Sequence, residues 1–242
     1  MTEAPGRRRI RITISYDGTE YHGWQVQPGL PTIQAAVEAV VSEIEGERIG
    51  VESSGRTDAG VHALAQVAAF TIANPIPVEN LRKAMNRLLP RDIRVTEVAE
   101  AAPEFHPRFD ATAKTYEYRI LRSEICPPFD RRYVYHHPYP LNEAVMMELA
   151  PLMEGEHDFT AYAASDEKDE LGYSKVRRIF SSTLERRGEL LYGRGAVDMK
   201  DTDAMLLAVV RSWIRAGVTP PRDLMLLFMP DEEAGEIGRA HV

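Results

Sequence analysis

Four switches of hydrophobic period within the first hundred residues restrict this chain more than any other feature. Arg9 to Tyr16 alternates apolar and polar side chains, the two-residue period of a strand with one buried face, and ends at the turn pair Asp17-Gly18. From Thr32 the spacing changes. Ile33, Ala36, Val37, Val40, Val41 and Ile44 recur at helical intervals, which predicts an amphipathic helix with Thr32 as its N-cap and Gly46 as its stop. Strand-like stretches follow at 48–52 and 63–71, then a helix from Pro77 to Leu89, with Pro77 in its first turn and Pro90 closing it, and then alternation again over 92–98.

The order β-α-β-β-α-β predicts an α+β fold of ferredoxin-like (RRM-like) type, an antiparallel sheet with helices on one face. A second, similar set starts at 113–121, continues with a helix at 141–153 and a strand at 176–186, and reads as incomplete. After about Gly188 the pattern changes to a glycine-rich turn (Tyr192-Gly193-Arg194-Gly195), a helix at 203–215 and a strand at 224–228, a short α/β fragment. The expected division is therefore 1–100, a first half carrying the functional loop; 101–187, a truncated second half; and 188–242, the fragment.

The formal net charge of −8 argues against indiscriminate binding to nucleic acid, whose affinity rests on neutralising phosphates. It leaves room for a local basic groove, and arginines cluster at 7–9, 131–132, 177–178 and 186–187. The single cysteine, Cys126, cannot form a disulfide within the chain, and the longest apolar runs, 204–210 and 224–229, are far too short to span a bilayer. A cytoplasmic protein without a membrane segment is expected, with residues 1–9 as a lead-in to the first strand.

The densest chemistry lies in Ser53-Ser54-Gly55-Arg56-Thr57-Asp58-Ala59-Gly60-Val61-His62, between two strands. Small residues let backbone approach a ligand, and a carboxylate near an arginine stays ionised and available as a nucleophile. The same residue types also make an ordinary surface turn. The segment resembles the active-site motif of the tRNA pseudouridine synthase A family. Further motifs in the family's order carry the same resemblance: Tyr16-Asp17-Gly18-Thr19 with Gly23-Trp24-Gln25, Phe105-His106-Pro107-Arg108-Phe109 with Lys114-Thr115-Tyr116-Glu117-Tyr118, and Gly155-Glu156-His157-Asp158-Phe159-Thr160.

The resemblance implies a tRNA-modifying isomerase acting on uridines of the anticodon stem-loop. By it Asp58 is the catalytic carboxylate, Arg56 orients Asp58 and holds the space of the extruded nucleotide, and Tyr116 lies against the uracil. It further implies no metal or organic cofactor, tRNA as partner and a homodimer. Read from the residues alone, Tyr116 and Tyr118 are two apart on a strand and equally suit a core-facing pair, and His22, His62 and His106 receive no role.

The family's third motif, which brings a further arginine, does not follow. Instead, Leu191-Tyr192-Gly193-Arg194-Gly195-Ala196-Val197-Asp198-Met199-Lys200 and Pro230-Asp231-Glu232-Glu233-Ala234-Gly235 resemble the M20 family of dinuclear zinc peptidases and aminoacylases. That resemblance would make Asp198 a metal bridge, Glu232 a general base and Glu233 a ligand. No His-x-Asp stands upstream and Val242 follows shortly, so a zinc site is not expected. The sequence thus reads as a fusion or chimera joined between Arg187 and Tyr192. The alternatives to an active synthase are a tRNA-binding chain impaired in catalysis and, further off, an M20-type amidohydrolase fragment.

Overall fold

A computed structural model describes residues 6–159 and 176–195. The chain divides into two compact units, 1–112 and 113–242. In the first, β1 (Arg8–Tyr16), α1 (Ile33–Glu45), β2 (Glu52–Ser53), β3 (Ala63–Ile72), α2 (Val78–Leu88) and β4 (Ile93–Ala101) follow the expected order. The sheet runs β2-β3-β1-β4, antiparallel throughout. Ile10, Ile12, Ile14 and Tyr16 of β1 point to one face and are buried against Val37 and Val41 of α1 and Leu81 and Met85 of α2. Burial of each such side chain contributes roughly 1.5–3 kcal/mol, which makes β1 the spine of this unit. Arg9, Arg11 and Thr13 occupy the opposite face, where Arg9 pairs with Glu52 and Arg11 with Glu97.

The capping residues behave as their chemistry dictates. Thr32 accepts a hydrogen bond from Ala35 N, and Gly46, at φ +85°, donates its N–H to Ser42 O at 2.8 Å. Pro77 lies one residue outside α2 with extended ψ, rather than in its first turn. The strand expected at 48–52 shrinks to Glu52–Ser53 because helix side chains claim its backbone: Ile49 N donates to Ser42 Oγ at 2.9 Å and Val51 N to Glu38 Oε1 at 3.0 Å. Near its C-terminal end β1 shifts register against both neighbours, at Thr13/Ile14 with β4 and at Ile14/Tyr16 with β3. Such irregularities re-aim the chain, here where β1 passes into the Asp17-Gly18 turn.

The second unit contains β5 (Tyr116–Leu121), β6 (Tyr135–His136), α3 (Glu143–Leu149), a 3-10 turn (Ala150–Met153), β7 (Gly155–Asp158), β8 (Val176–Ile179), β9 (Ser182–Arg187) and β10 (Leu190–Gly195). Its main sheet runs β6-β5-β10-β9, while β7 and β8 pair separately. The helix expected to reach Met153 tightens to 3-10 at Ala150, where Pro151 has no N–H to continue it. The strand expected at 176–186 splits at Phe180 and Ser181 into β8, on β7, and β9, on β10.

Tyr192-Gly193-Arg194-Gly195 forms strand, not a turn. Leu190–Gly195 pairs with β5 on one edge and β9 on the other, so the segment expected to leave this sheet open supplies its interior strand. Leu191 is fully buried. Gly193 and Gly195 stand opposite Tyr118 and Tyr116 in the ladder, and a Cβ on Gly193 would make ordinary contact with Leu184 Cδ1 at 3.7 Å and Tyr118 Cβ at 3.9 Å. The M20-like Asp198, Glu232 and Glu233, the helix and strand expected at 203–215 and 224–228, and Thr160 lie outside the described residues.

Candidate active site

The loop between β2 and β3 is built from its ends inward. At its start Ser54 N donates to Val67 O at 2.9 Å, extending the β2–β3 pairing, and Ser54 Oγ meets Gln66 Oε1 at 3.1 Å. Gln66 Nε2 also donates to Gly55 O, which Ser53 Oγ reaches at 2.8 Å. At its far end Asp58 O accepts from Val61 N at 3.1 Å, closing a turn over Ala59 and Gly60.

The middle of the loop is gripped by the segment that follows β1. Trp24 N donates to Thr57 O at 2.9 Å, Gly60 N donates to Tyr21 O at 3.2 Å, and the Tyr16 and Thr57 hydroxyls are 2.8 Å apart. Two glycines make that grip possible. A Cβ on Gly18 would lie 2.0 Å from Val61 O, and one on Gly23, whose φ is +79°, would lie 2.5 Å from Thr57 O. Both positions therefore require a residue without a side chain. Tyr16 is buried, and that burial pushes its hydroxyl up to about 12, partly offset by the Thr57 hydrogen bond, so it remains a neutral hydroxyl at physiological pH. Tyr21, raised by burial and by its 2.8 Å bond to Asp92, is neutral as well.

Thr57 thus has both its carbonyl and its hydroxyl turned inward, and its neighbours Arg56 and Asp58 are turned outward and exposed. The structure brings these two together on one fastened loop. Tyr116 belongs to the other unit, where it opens β5, half-buried, on the same sheet face as Tyr118, as their spacing requires.

Sequence reading left His62 without a role, yet its Nδ1 lies 3.1 Å from both Gly18 N and Asp17 Oδ1. The two contacts need opposite proton states: a bare Nδ1 accepts from Gly18 N–H, and a protonated one donates to Asp17. Asp17 Oδ1 already accepts from Thr19 N at 3.0 Å and Thr19 Oγ1 at 2.6 Å, which suits the first arrangement. His106 is tied into its own turn, with Asp110 Oδ2 accepting from its N–H at 2.9 Å and its Nδ1 accepting from Arg108 N at 3.1 Å, while Arg108 and Phe109 are exposed. Among the described residues no three His, Cys, Asp or Glu side chains are grouped to hold a metal ion, and no helix is long and apolar enough to cross a membrane.

The sequence profile described as tRNA pseudouridine synthase matches residues 12–110, which include the whole clasped loop. A protein of Solibacter usitatus named tRNA pseudouridine synthase A is 60% identical over 212 residues, covering 87% of each chain. The chain belongs to the tRNA pseudouridine synthase A family. Family members from Pelobacter propionicus and Limosilactobacillus fermentum are 39% and 44% identical over 230 and 184 residues, covering 93% and 75% of this chain and 92% and 70% of theirs. A second profile, peptidase family M20/M25/M40, matches residues 168–242. The synthase A likeness to the Solibacter protein, at 212 residues, is longer than the stretch ending at Arg187 and runs on into this segment.

Proposed function

We propose that the chain converts uridine to pseudouridine in tRNA, acting on uridines of the anticodon stem-loop with Asp58 as nucleophile. The observation that carries this reading is the presentation of Asp58, an exposed carboxylate beside a threonine whose backbone and side chain are both anchored. A fixed backbone holds the attacking group in place before substrate arrives.

The reaction is an isomerisation. A carboxylate oxygen of Asp58 bonds to the nucleoside, the bond from sugar to uracil nitrogen breaks, the ring turns, and the sugar rejoins it through carbon as the carboxylate is released. That carbon loses a proton and the freed nitrogen gains one, so no redox partner is required. Tyr116 serves to assist the proton removal and to pack on the uracil, and Arg56 to orient Asp58 and fill the space of the extruded nucleotide. The nucleotide must leave the stack, because its glycosidic bond is shielded within a helix. We assign the chain a homodimeric, cytoplasmic existence without metal or organic cofactor, and read residues 188–242 as a graft.

Pseudouridine formation on unmodified tRNA tests the reading: the parent chain yields product, and Asp58→Ala and Asp58→Asn yield none. The M20 match over 168–242, where the family's third-motif arginine is expected, favours a second reading, tRNA binding without catalysis. Binding by the parent with no product would establish that reading.

A further inference from the structure

The face of the second sheet opposite α3 carries an arrangement that the isomerisation does not use. Residues directly opposite one another share a face, which places Glu117, Arg119, Tyr192, Arg194, Glu185 and Arg187 together. Glu143 of α3 binds Arg122 and Arg186, on the other face, at 3.0 and 2.6 Å, which identifies the helix-covered side. On the opposite side, which no described helix covers, three guanidinium carbons surround the Tyr192 ring, Arg187 at 5.2 Å and Arg119 and Arg194 both at 5.9 Å from its centroid.

We propose that Arg119, Arg187 and Arg194, gathered around Tyr192, form a docking site for backbone phosphates of the RNA substrate. The proposal rests on tRNA being that substrate. The fit lies in how the arginines are held. Arg119 and Arg194 each give Nε to one carboxylate, Glu117, at 2.8 and 2.5 Å, leaving their Nη forks for another acceptor. Glu117 is only 17% exposed, whereas the Arg119 and Arg194 side chains are 38% and 43% exposed, so a partly buried carboxylate anchors the more exposed guanidiniums. Guanidinium forks match phosphate oxygens two at a time, and the aromatic face restricts where they stand before binding.

The third arginine is held more lightly. Arg187 meets Glu185 at 2.7 Å, but both are about half exposed, a pairing that contributes little and yields readily to a phosphate. Three arginines against two carboxylates leave the patch positive in a chain whose net charge is −8, so RNA gains here an attraction that the average surface denies it.

The test is tRNA affinity of the full chain as a function of salt, with folding checked by circular dichroism. Arg187→Gln with Arg194→Gln leaves Glu117 paired to Arg119, and Glu185, which loses Arg187, is about half exposed and stays solvated. For every phosphate no longer neutralised, the slope of log affinity against log salt should shrink by about 0.7–0.9, so that the double variant's deficit narrows about tenfold between 50 and 200 mM salt. Glu185→Gln removes the competing carboxylate and should do the reverse, with tighter binding and a steeper slope. Slopes equal to the parent's in both variants would overturn the site while leaving the functional reading intact. A parent that does not bind tRNA at all would overturn both.

Discussion

Replacing Gly23 by alanine should nearly silence the enzyme while leaving it folded. Two costs arise at this position. The backbone sits at φ +79°, which costs a residue with a Cβ roughly 1–2 kcal/mol. The new methyl would also stand 2.5 Å from Thr57 O, where ordinary contact begins at 3.4 Å. The loop must then retreat by roughly 0.5–1 Å to relieve the overlap. That movement stretches the Trp24 N to Thr57 O bond, a further loss of about 0.5–1.5 kcal/mol. Together the variant should be less stable by about 2–3 kcal/mol. Because Asp58 follows Thr57 directly, its carboxylate moves too, and a displacement of this order can lower turnover by about 100-fold.

Gly29 provides the control. Its φ of +74° carries the same backbone cost, but open space surrounds the missing side chain. Gly29→Ala should therefore lose about 1–2 kcal/mol and keep near-parental turnover. Single-turnover pseudouridine formation, beside denaturant melts of both variants, separates the effects. If Gly23→Ala turns over at the rate of Gly29→Ala, the grip of the Gly18–Trp24 segment does not position Asp58.

Tyr16→Phe removes the hydroxyl that meets Thr57 and should cost about 1 kcal/mol in a urea melt, with turnover falling more than substrate affinity; an equal effect on both would assign Tyr16 to stability alone. Leu191→Ala empties a fully buried position in the interior strand of the second sheet and should cost about 2–5 kcal/mol, read as reduced hydrogen-exchange protection across residues 116–121 and 182–195. Acid should weaken the second unit. Hydrogen bonds from Arg186 and Arg122 hold Glu143 below the ordinary carboxylate value of 4.5, and at Glu117 burial pushes upward but the hydrogen bonds and charges of Arg119 and Arg194 prevail. Depressed values mean that this stabilisation is complete above pH 4.5 and is lost as pH falls through the folded values. Melts between about pH 7 and 3 should show it, and Glu143→Gln should flatten the decline; a decline of unchanged steepness would exclude Glu143 as a source.

The first unit was legible because its signals are local. Thr32 and Gly46 bracket α1 through contacts within three or four residues, and the alternation of Ile10, Ile12 and Ile14 reports burial directly. Errors came where distant groups decide. Nothing in residues 48–52 tells that Glu38 and Ser42 will take their backbone N–H groups. Gly193 and Gly195 signal a turn until Tyr118 and Tyr116 are set opposite them. At the site, the motif placed Arg56 and Asp58 on one loop, but the Tyr16–Thr57 contact joins residues 41 apart, and the position of His62 over Gly18 spans 44. A sequence pattern shows that such residues belong to a motif; only the folded chain shows which of them touch.

The interior position of β10 has a consequence for how this gene can be divided. Neighbouring strands lie about 4.8 Å apart, so a gene cut at Arg187 would leave β5 and β9 facing each other across a gap of roughly 10 Å. Each would expose a full row of unpaired N–H and C=O groups, an invitation to recruit a strand from another molecule. The strand that follows Arg187 is held on both edges by strands that precede it, so the stretches on either side of that point depend on each other for a closed hydrogen-bonded sheet.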